Sequence, residues 1–560
     1  MRIALQTINF TILCLFTPIF AFAQTSGAEQ PKGKFSGNAQ LVYNFFQRDT
    51  AIGAANNPLY DKHLSGGASW VNLNYIQGSF EAGVRLDAFQ NANIHDPTVA
   101  YTDQGIGNIY IKKQIDKLGI TAGNFYEQFG SGVALRCYED RALGIDNALF
   151  GLRANYQLND KWTVKAVAGA HRNLFKFFAP TTKGINIEGN ISIKDSANGL
   201  DIITFAPGAS IVNRTLDQTT MNTIVSNINA LNLEQRFVPT YNTYIFQAYN
   251  TTQYKGVNWY LEYNHKTHEA INDQDGNLID KDGRVVFTTL GYSRKGFGIN
   301  AQYKRTENFV LRTSPNERLL RGMVSFLPPT TRQNSLRLPA RYTAAAQELS
   351  EQSYQIDMII SPTDHLSFNT NFSNMTDITG KKEFFREFYQ DVTINKDKNE
   401  WVAGLQIIDY NIDFFQQKPN ASTVRTFTPF VEYTRRFDRK RSLRCELQYM
   451  ATDRDKQLFP FLLKDASRPK EKQDFGDWTF ALIEYNIAPH WSFAVSDMYN
   501  VHPTRGEARH YPNVFMSYTE KTTRFTVAYA KQVEGVVCTG GVCRFEPAFS
   551  GVRVGMTTSW

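Results

Sequence analysis

The residues best suited to binding chemistry in this sequence are arginines concentrated between residues 308 and 350. The segment contains only two glutamates, Glu317 and Glu348, against six arginines: Arg312, Arg318, Arg321, Arg332, Arg337 and Arg341. A guanidinium is permanently charged and presents a rigid fork of donors that fits carboxylate and phosphate groups. At a constriction such a cluster would favour anionic solutes, whereas on a surface loop it would be solvated or bind lipopolysaccharide phosphates. Both alternatives stay open.

A second group of charges surrounds one predicted loop. It comprises Glu127, Arg136, Glu139, Asp140, Arg141, Asp146 and Arg153. Either these side chains form a paired network that pins the loop to its surroundings, or they bind a ligand. Unpaired charges are costly in a buried wall, so pairing is the favoured interpretation.

Cys538 and Cys543 enclose a Thr-Gly-Gly-Val segment. The spacing permits a small disulfide-closed loop, and the glycines permit its tight turn. Further ligands for a metal site are absent nearby. The sequence also contains no nucleophile elbow, zinc-protease motif, phosphate-binding loop or dinucleotide fingerprint, so we expect neither a cofactor nor enzyme activity.

Alternating apolar and polar residues reveal the elements that must position these groups. The alternation is regular over 80–87, 257–264, 366–372 and 443–449. A period of two places one set of side chains on each face of a sheet. In a soluble sheet the apolar set would meet a second sheet, whereas in a transmembrane barrel it would meet lipid.

In a barrel, the polar set of side chains would line the lumen. By parity this set includes Glu81, Arg85, Asp87, Arg153, Glu262, Glu432, Arg436, Arg444, Glu446 and Arg553. These charges would either set the field that selects a solute or neutralise one another across neighbouring strands. The sequence does not decide between the two roles.

The connections between the predicted strands alternate between tight and long. Tight ones fall at 77–78, 116–117, 159–161, 295–296, 438–440, 488–490 and 520–521. Long ones fall near 49–63, 92–104, 129–146, 172–241, 268–284, 308–350, 410–423, 453–474 and 535–546. This asymmetry is typical of outer-membrane barrels, which have short periplasmic turns and long extracellular loops. The tally predicts an all-β, antiparallel up-and-down barrel of about 22 strands with both termini in the periplasm.

The N-terminal residues predict export. A positive start is followed by the apolar run 12–20 and by Ala21-Phe22-Ala23, a small-x-small cleavage pattern. We therefore expect a signal peptide over 1–23, a short periplasmic segment over 24–34 and one barrel domain over 35–560. The last strand ends in Trp560, which resembles the signal read by barrel-assembly machinery during biogenesis.

Composition agrees with a barrel in a Gram-negative outer membrane. Hydrophobic content is 42% and aromatic content 13%, with a mean hydropathy of −0.38, as expected when a polar lumen dilutes an apolar outer face. A formal net charge of +7 without a dense basic block gives no indication of nucleic-acid binding. The alternative is an all-β secreted protein such as a sandwich or propeller.

Two long loops contain patterns that predict helices. Apolar residues between Met221 and Leu231 repeat at helical spacing behind a candidate cap, Asp217, and a short helix is expected at Ala344–Ala346. A large barrel holds a channel or a plugged lumen, so our hypothesis is that 172–241, 308–350 or both fold inward as a constriction. The alternative is a surface cap that never enters the lumen.

Four motifs resemble a known family. They are Gly-Asn-Phe-Tyr-Glu-Gln-Phe-Gly-Ser-Gly at 123–132, Tyr-Glu-Asp-Arg at 138–141, Gly-Ile-Asp-Asn-Ala at 144–148 and Cys-Thr-Gly-Gly-Val-Cys-Arg at 538–544. Together they look like a family of uncharacterised outer-membrane proteins of Bacteroidota. The resemblance implies the compartment and the fold, and carries no established substrate or active site.

These observations favour a porin-like barrel that passes small hydrophilic solutes. The alternative is a non-conducting scaffold or partner of a surface secretion or assembly complex. A hydrolase with its site on the barrel wall is the least favoured interpretation. Membrane lipid and assembly machinery are the expected partners, while the solute and the oligomeric state are not specified.

Overall fold

The computed structural model describes residues 32–560 except 95–98, 196–200, 274–275, 319, 417–422, 453–475, 504–508 and 540–541. The predicted signal peptide, residues 24–31 and the predicted loop 453–474 lie outside the described residues. The chain forms one closed barrel with few helices.

The barrel consists of 24 antiparallel strands, each paired with its neighbours in sequence. The strands are β1 Lys34–Phe46, β2 Ser65–Gln77, β3 Phe80–Ala92, β4 Tyr101–Ile115, β5 Leu118–Phe125, β6 Leu149–Asn159, β7 Trp162–Asn173, β8 Lys176–Gly189, β9 Asp201–Thr215, β10 Asn242–Tyr254, β11 Val257–Asn272, β12 Leu278–Arg294, β13 Phe297–Glu307, β14 Ser350–Thr363, β15 Leu366–Thr376, β16 Glu383–Lys396, β17 Asn399–Asn411, β18 Thr423–Arg436, β19 Arg441–Thr452, β20 Gly476–Ile487, β21 Trp491–Pro503, β22 His510–Glu520, β23 Thr523–Gln532 and β24 Phe549–Ser559. Ile191–Lys194 continues β8, because both segments pair with β9.

Closure occurs between the first and last strands. β1 and β24 pair antiparallel from Asn38 opposite Ser559 to Phe46 opposite Gly551. The ladder ends with a backbone hydrogen bond of 3.0 Å from the Gly37 N–H to the Trp560 carbonyl. Closure pairs the edge strands, which would otherwise expose unpaired backbone groups.

The prediction of about 22 strands was wrong by one hairpin. Residues 172–241, predicted as a single loop, contain β8 and β9. Each of these strands includes a proline, Pro180 and Pro207, and such residues weaken a strand assignment. The alternation is nevertheless present, since Ile185 and Ile187 are exposed outward on either side of the buried Asn186.

The two ends of the barrel differ as predicted. At the end that carries both termini, hairpins turn through connections as short as Lys255-Gly256, where both residues have positive φ angles of 43° and 83°. Such angles characterise the type I′ turn, which matches strand twist. The opposite end carries the long connections, including 47–64, 126–148, 216–241 and 308–349. We call these the turn end and the loop end.

The parity prediction is confirmed along β11. Trp259, Leu261 and Tyr263 point outward and are 42–47% exposed, whereas Glu262 and Asn264 point into the barrel and are buried. Large apolar side chains are exposed on the outer faces of strands around the whole barrel.

Burial on the inner face increases from the turn end towards the loop end. On β18, Val424 and Phe430 near the loop end are buried, Glu432 is half-buried, and Arg436 at the turn end is exposed. β10 and β16 show the same gradient. Protein inside the lumen therefore covers the inner face of these strands in the loop-end half of the barrel.

Helices are short and lie at the loop end. α1 spans Gln218–Asn229, and the Asp217 carboxylate caps it by accepting from the Thr219 and Thr220 amides, as predicted. α2 spans Ile412–Gln416, and single turns lie at 50–52, 59–63, 233–235 and 339–341. The helix expected at Ala344–Ala346 was wrong, since the chain there forms only the preceding turn Pro339–Arg341. Among the described residues, no helix is long and apolar enough to cross a membrane.

Candidate functional site in the barrel lumen

Two loops occupy the lumen, and we call them together the plug: residues 126–148 between β5 and β6, and residues 308–349 between β13 and β14. Apolar side chains of the shorter loop and of the first part of the longer loop form one buried cluster with inward-facing wall residues, while the second part of the longer loop packs in a separate cluster. The first cluster includes Phe129, Val133, Leu135, Phe309, Leu311 and Val324 from the plug, with Val167, Val212, Ile245 and Val285 from the wall. Loop 308–350, one of the two expected to fold inward, therefore does so. The other, around α1, packs against Ala270 and Leu278 at the rim.

The two loops of the plug are joined to each other. The Arg136 amide donates to the Val324 carbonyl at 3.0 Å, and the Phe326 amide donates to the Gly132 carbonyl at 3.1 Å. The Arg136 guanidinium lies between the rings of Tyr138 and Phe326, 4.5 and 3.9 Å from their centroids. These contacts connect the two loops inside the lumen.

Cationic wall residues hold the longer loop by its backbone. Lys266 Nζ donates to the Val310 carbonyl at 2.8 Å, and Lys304 Nζ donates to the Pro328 carbonyl at 2.5 Å. Both lysine side chains are fully buried. A buried cation is tolerated only when it is paired and hydrogen-bonded, so these contacts fix the loop path as well as satisfying the charge.

Buried carboxylates balance these cations. Glu269 pairs with Lys266 at 2.6 Å and also with Arg214, while Glu351 pairs with Lys304 at 3.0 Å. Arg214 donates in turn to a carbonyl of the longer loop, that of Arg312, at 3.3 Å. Wall and loop thus form one hydrogen-bonded unit.

The far part of the longer loop is held by neutral and acidic groups of β16 and β19, three and six strands along the wall from β13. The Leu338 amide donates to Gln448 Oε1 at 2.7 Å, and Asn334 Nδ2 donates to Glu387 Oε1 at 2.9 Å. The loop therefore crosses from β13 to the wall formed by β16 and β19.

A buried ion-pair cluster, the clamp network, holds the shorter loop. On the wall, Arg85 and Arg172 both bind Asp87, at 2.7 and 2.8 Å. On the loop, Asp146 binds both arginines, at 2.6 Å from Arg85, and Glu139 binds Arg85 at 3.0 Å. Two guanidinium groups and three carboxylates thus share one site.

The clamp network changes the interpretation of two predicted residues and adds a third. Arg85 and Asp87, expected among the lumen charges, point inward but form an ion pair with each other. Arg172 was missed because it was assigned to the predicted loop 172–241, whereas it lies on β7, just after a register shift between Ala170 and Arg172.

The remaining predicted charges of this loop have local partners. Glu127 pairs with Arg153 on β6 at 2.6 Å. Asp140 accepts from the Leu143 amide at 3.1 Å within a turn. Arg141 pairs with Glu139 at 2.7 Å.

The six arginines of the longer loop are dispersed rather than gathered at one constriction. Near the loop's start, Arg312 pairs with Glu348 at 2.9 Å, and Arg321 pairs with Glu317 at 3.2 Å. Arg318 is exposed.

Further along, the other three arginines meet aromatic rings or water. Arg332 lies 3.8 Å from the ring centroid of Tyr389, and Arg341 lies 4.7 Å from that of Trp478. Arg337 is exposed.

Four of the other predicted lumen charges are also paired. Arg444 binds Glu432 at 2.8 Å and Glu446 at 2.6 Å, and Arg436 binds Glu400 at 2.9 Å near the turn end. Neutralisation across neighbouring strands is therefore their observed arrangement.

Glu81 and Glu262 have different surroundings. Glu81 accepts from the Tyr110 hydroxyl at 2.7 Å and pairs with Lys112 at 3.3 Å. Glu262 accepts from the Ser131 amide at 3.0 Å and so anchors the tip of the shorter loop.

A cavity of about 550 Å³ separates the plug from the wall at the closure of the barrel. We call this the seam cavity; β24, β1, β2 and the shorter loop line it. The inner side chains Gln40, Val42, Asn44 and Phe46 remain partly exposed along the length of β1. Arg141 lies over the Trp70 ring at 4.8 Å within this cavity.

A second cavity of about 560 Å³ lies at the turn end, below the tip of the shorter loop at Gly130. Tyr249, Tyr260 and the Lys165–Glu188 pair, at 2.7 Å, line it. Water-accessible space therefore exists on both sides of the shorter loop.

The described residues show no metal centre. No group of three or more His, Cys, Asp or Glu among them is arranged to hold a metal ion. Cys137 is a buried free thiol, and Cys445 is a half-buried one. Cys538 and Cys543 are direct partners in the hairpin formed by Gly535–Thr539 and Val542–Glu546, but their side chains lie outside the described residues, and the disulfide stays a prediction.

Solved structures similar to this chain are large barrels. The siderophore receptor PirA from Pseudomonas aeruginosa aligns over 95% of this chain and 81% of its own, with 8% identity and a TM-score of 0.42. The P pilus usher PapC translocation pore aligns over 94% and 99%, with 8% identity and a TM-score of 0.42. OccAB4 from Acinetobacter baumannii aligns over 71% and 97%, with 10% identity and a TM-score of 0.33.

Sequence comparison identifies the family. No curated protein matches the chain. The family of unknown function DUF6029 matches residues 5–560, nearly the entire sequence. The chain therefore belongs to the DUF6029 family.

Proposed function

We propose that this protein is an outer-membrane channel that passes small hydrophilic solutes between a fixed plug and one side of its wall. The observation that carries the proposal is the seam cavity, beside which the inner face of β1 stays partly exposed along its length. On β10 and β18, by contrast, the inner face is buried towards the loop end.

The surface of the barrel supports the membrane location. A closed barrel satisfies its backbone hydrogen bonds internally, which the hydrocarbon core of a membrane requires. Its outward face exposes large apolar side chains such as Leu152, Ile483 and Val495, each 56–61% exposed. Water would oppose this much exposed apolar surface, whereas lipid would cover it. In this orientation the turn end and both termini are periplasmic, and the loop end is extracellular.

The size of the barrel supports a partial rather than complete blockage. With a strand spacing of about 4.8 Å and a tilt of about 40°, 24 strands give a circumference of roughly 150 Å, or a circle about 48 Å across. Packed layers of chain lie only about 10 Å apart. Two loops therefore narrow such a lumen without having to fill it.

Five arginines and four carboxylates line the seam cavity, a small excess of positive charge that supports a preference for anions. Arg141 and Arg553 both reach the cavity, and the inward-facing Arg553 is exposed. Several arginines of the longer loop are occupied by carboxylates or rings. We therefore assign the selectivity to Arg553 rather than to the longer loop.

The test is single-channel recording of the refolded mature protein in planar bilayers, with reversal potentials in asymmetric KCl. We expect stable conductance steps and a chloride preference that Arg553→Gln reduces. Arg318→Gln is the matched control, because it removes an exposed arginine from the plug outside this cavity. A chloride preference that Arg318→Gln abolishes and Arg553→Gln preserves would contradict the assignment.

A non-conducting scaffold for a surface secretion or assembly complex is the second candidate. The number of buried contacts between plug and wall favours it, because they would hold the lumen shut if the seam cavity had no exit. Correctly folded protein that stays electrically silent would select this candidate.

A further inference from the structure

We propose that the seam cavity is a binding site for a small organic anion, in which Arg553 holds a carboxylate or phosphate group and an aromatic wall holds an apolar body. The inference deepens the proposed function by naming the class of solute, and it rests on that function only for the claim that the solute is transported.

Arg553 is the cation available for such a ligand. Its Nε donates to Asn44 Oδ1 at 2.9 Å, and its guanidinium lies 4.8 Å from the centroid of the Phe549 ring. Among the described residues, neither terminal nitrogen of Arg553 has a hydrogen-bond or ion-pair partner. The side chain is thus oriented at one edge, and the Glu546 carboxylate, which pairs with Arg544 at 2.9 Å, attracts it from beyond ion-pair distance.

The other arginines that line the cavity are already engaged. Arg85 and Arg172 belong to the clamp network. Arg141 donates to Gln40 at 2.6 Å as well as to Glu139, and Arg544 donates to the Ile94 carbonyl at 2.9 Å. An incoming anion would compete with these contacts, whereas at Arg553 it meets free donors.

The chemistry of a free guanidinium edge defines the ligand's charged group. Two parallel N–H donors match two oxygens of a carboxylate or a phosphate, which gives bidentate binding. An uncharged amide offers a single carbonyl oxygen and no negative charge. The site should therefore discriminate strongly between an acid and its amide.

The rest of the lining defines the ligand's body. Phe46, Trp70, Phe89 and Phe549 contribute aromatic surface to a cavity of about 550 Å³. Binding sites for organic molecules are about 300–1,000 Å³ and largely apolar, with a few polar groups that fix orientation. Inorganic phosphate would leave this apolar surface unused.

The experiment is isothermal titration calorimetry on the purified full-length barrel in detergent micelles. Benzoate and phenyl phosphate test the two charged groups, benzamide removes the charge, and inorganic phosphate removes the apolar body. We expect at least one aromatic anion to bind about 10- to 100-fold more tightly than benzamide, as charge-assisted hydrogen bonds imply. Equal binding of acid and amide, or tightest binding of inorganic phosphate, would overturn the inference.

Variants locate the site. Arg553→Gln should abolish the difference between acid and amide, and Arg553→Lys should recover part of it, because lysine restores the charge without the planar fork. Arg318→Gln should leave the titration unchanged. Because Arg553 makes one side-chain hydrogen bond, to Asn44, and one ring contact, with Phe549, among the described residues, the barrel should survive both substitutions, which heat-modifiable migration on gels checks. Unchanged discrimination in a folded Arg553→Gln protein would refute the site.

The titrations and the conductance measurement fail independently. Binding by a protein that does not conduct would retain the site and reject the channel. Conductance by a protein that does not distinguish acids from amides would retain the channel and reject the site.

Discussion

Asp146→Asn should release the shorter loop of the plug from the wall. Asp146 binds both Arg85 and Arg172 in the clamp network, and its side chain is only 18% exposed. Removing one partner from a buried ion pair costs about 3–5 kcal/mol. Both arginines keep Asp87, so we take the lower limit of that range, about 3 kcal/mol.

The predicted loss concerns local opening of residues 126–148 rather than unfolding of the barrel. A change of about 3 kcal/mol corresponds to about a 150-fold larger population of the open loop. Native-state hydrogen exchange followed by mass spectrometry measures that population directly for peptides from this loop. Exchange in the barrel strands distant from the clamp network should stay unchanged.

Asp140→Asn supplies the matched control, because the same isosteric change is made six residues away. The Asp140 carboxylate accepts from the Leu143 amide at 3.1 Å and forms no ion pair among the described residues. Its effect should stay below about 1.5 kcal/mol, the range of one ordinary hydrogen bond. Equal exchange rates in the two variants would refute the reasoning that buried pairing, rather than packing of the apolar cluster, holds the loop.

Two further predictions concern the loops at the loop end. Asp217→Ala should cost about 1 kcal/mol in α1, because the cap to Thr219 and Thr220 is lost. Burial raises the pKa of Asp217, but hydrogen bonds from Thr220 and the backbone lower it more, so the pKa lies below its ordinary value. The cap's contribution to stability should therefore persist at neutral pH and be lost as the pH falls through the lowered pKa. Hydrogen exchange of α1 peptides, measured at pH 7 and under acidic conditions, checks the cost of losing the cap and its pH dependence. If the variant and the parent differed equally at the two pH values, the pH dependence would be contradicted. Burial raises the pKa of the Cys137 thiol, so in a variant with no other cysteine a small maleimide should react only when the plug opens, and rapid labelling of the closed protein would contradict the buried position.

Most strands could be predicted because their signal is local. Side chains such as Trp259, Leu261 and Tyr263 alternate with polar ones, and a period of two requires no knowledge of the partner strand. Turn residues such as Lys255 and Gly256 are equally local, since positive φ angles restrict the residue type. The missed hairpin contains Pro180 and Pro207, which suppress the signal without preventing pairing.

Partners in the lumen could not be predicted in the same way. Parity places Arg85 and Asp87 on the inner face, but whether Arg85 meets a solute or Asp146 depends on the path of a loop that begins more than 30 residues later. The sequence thus predicts which charged side chains point inward, but not which of them pair with each other. Arg172 was not even predicted to be an inward charge, because the end of β7, which carries a register shift, was assigned to the loop 172–241.

One signal of the plug was present in the sequence and was not used. A water-filled barrel should have polar inner faces, yet Val167, Val212, Ile245 and Val285 point inward and are completely or almost completely buried. On two of these strands the neighbouring inner residues are polar, Ser210 and Arg214 beside Val212 and Thr243 and Gln247 beside Ile245. Water cannot account for the inner set, because exposed apolar surface of this extent would be unfavourable. Large apolar residues among polar ones on an inner face therefore predict protein inside the barrel, and their position along the strand predicts the depth of that protein.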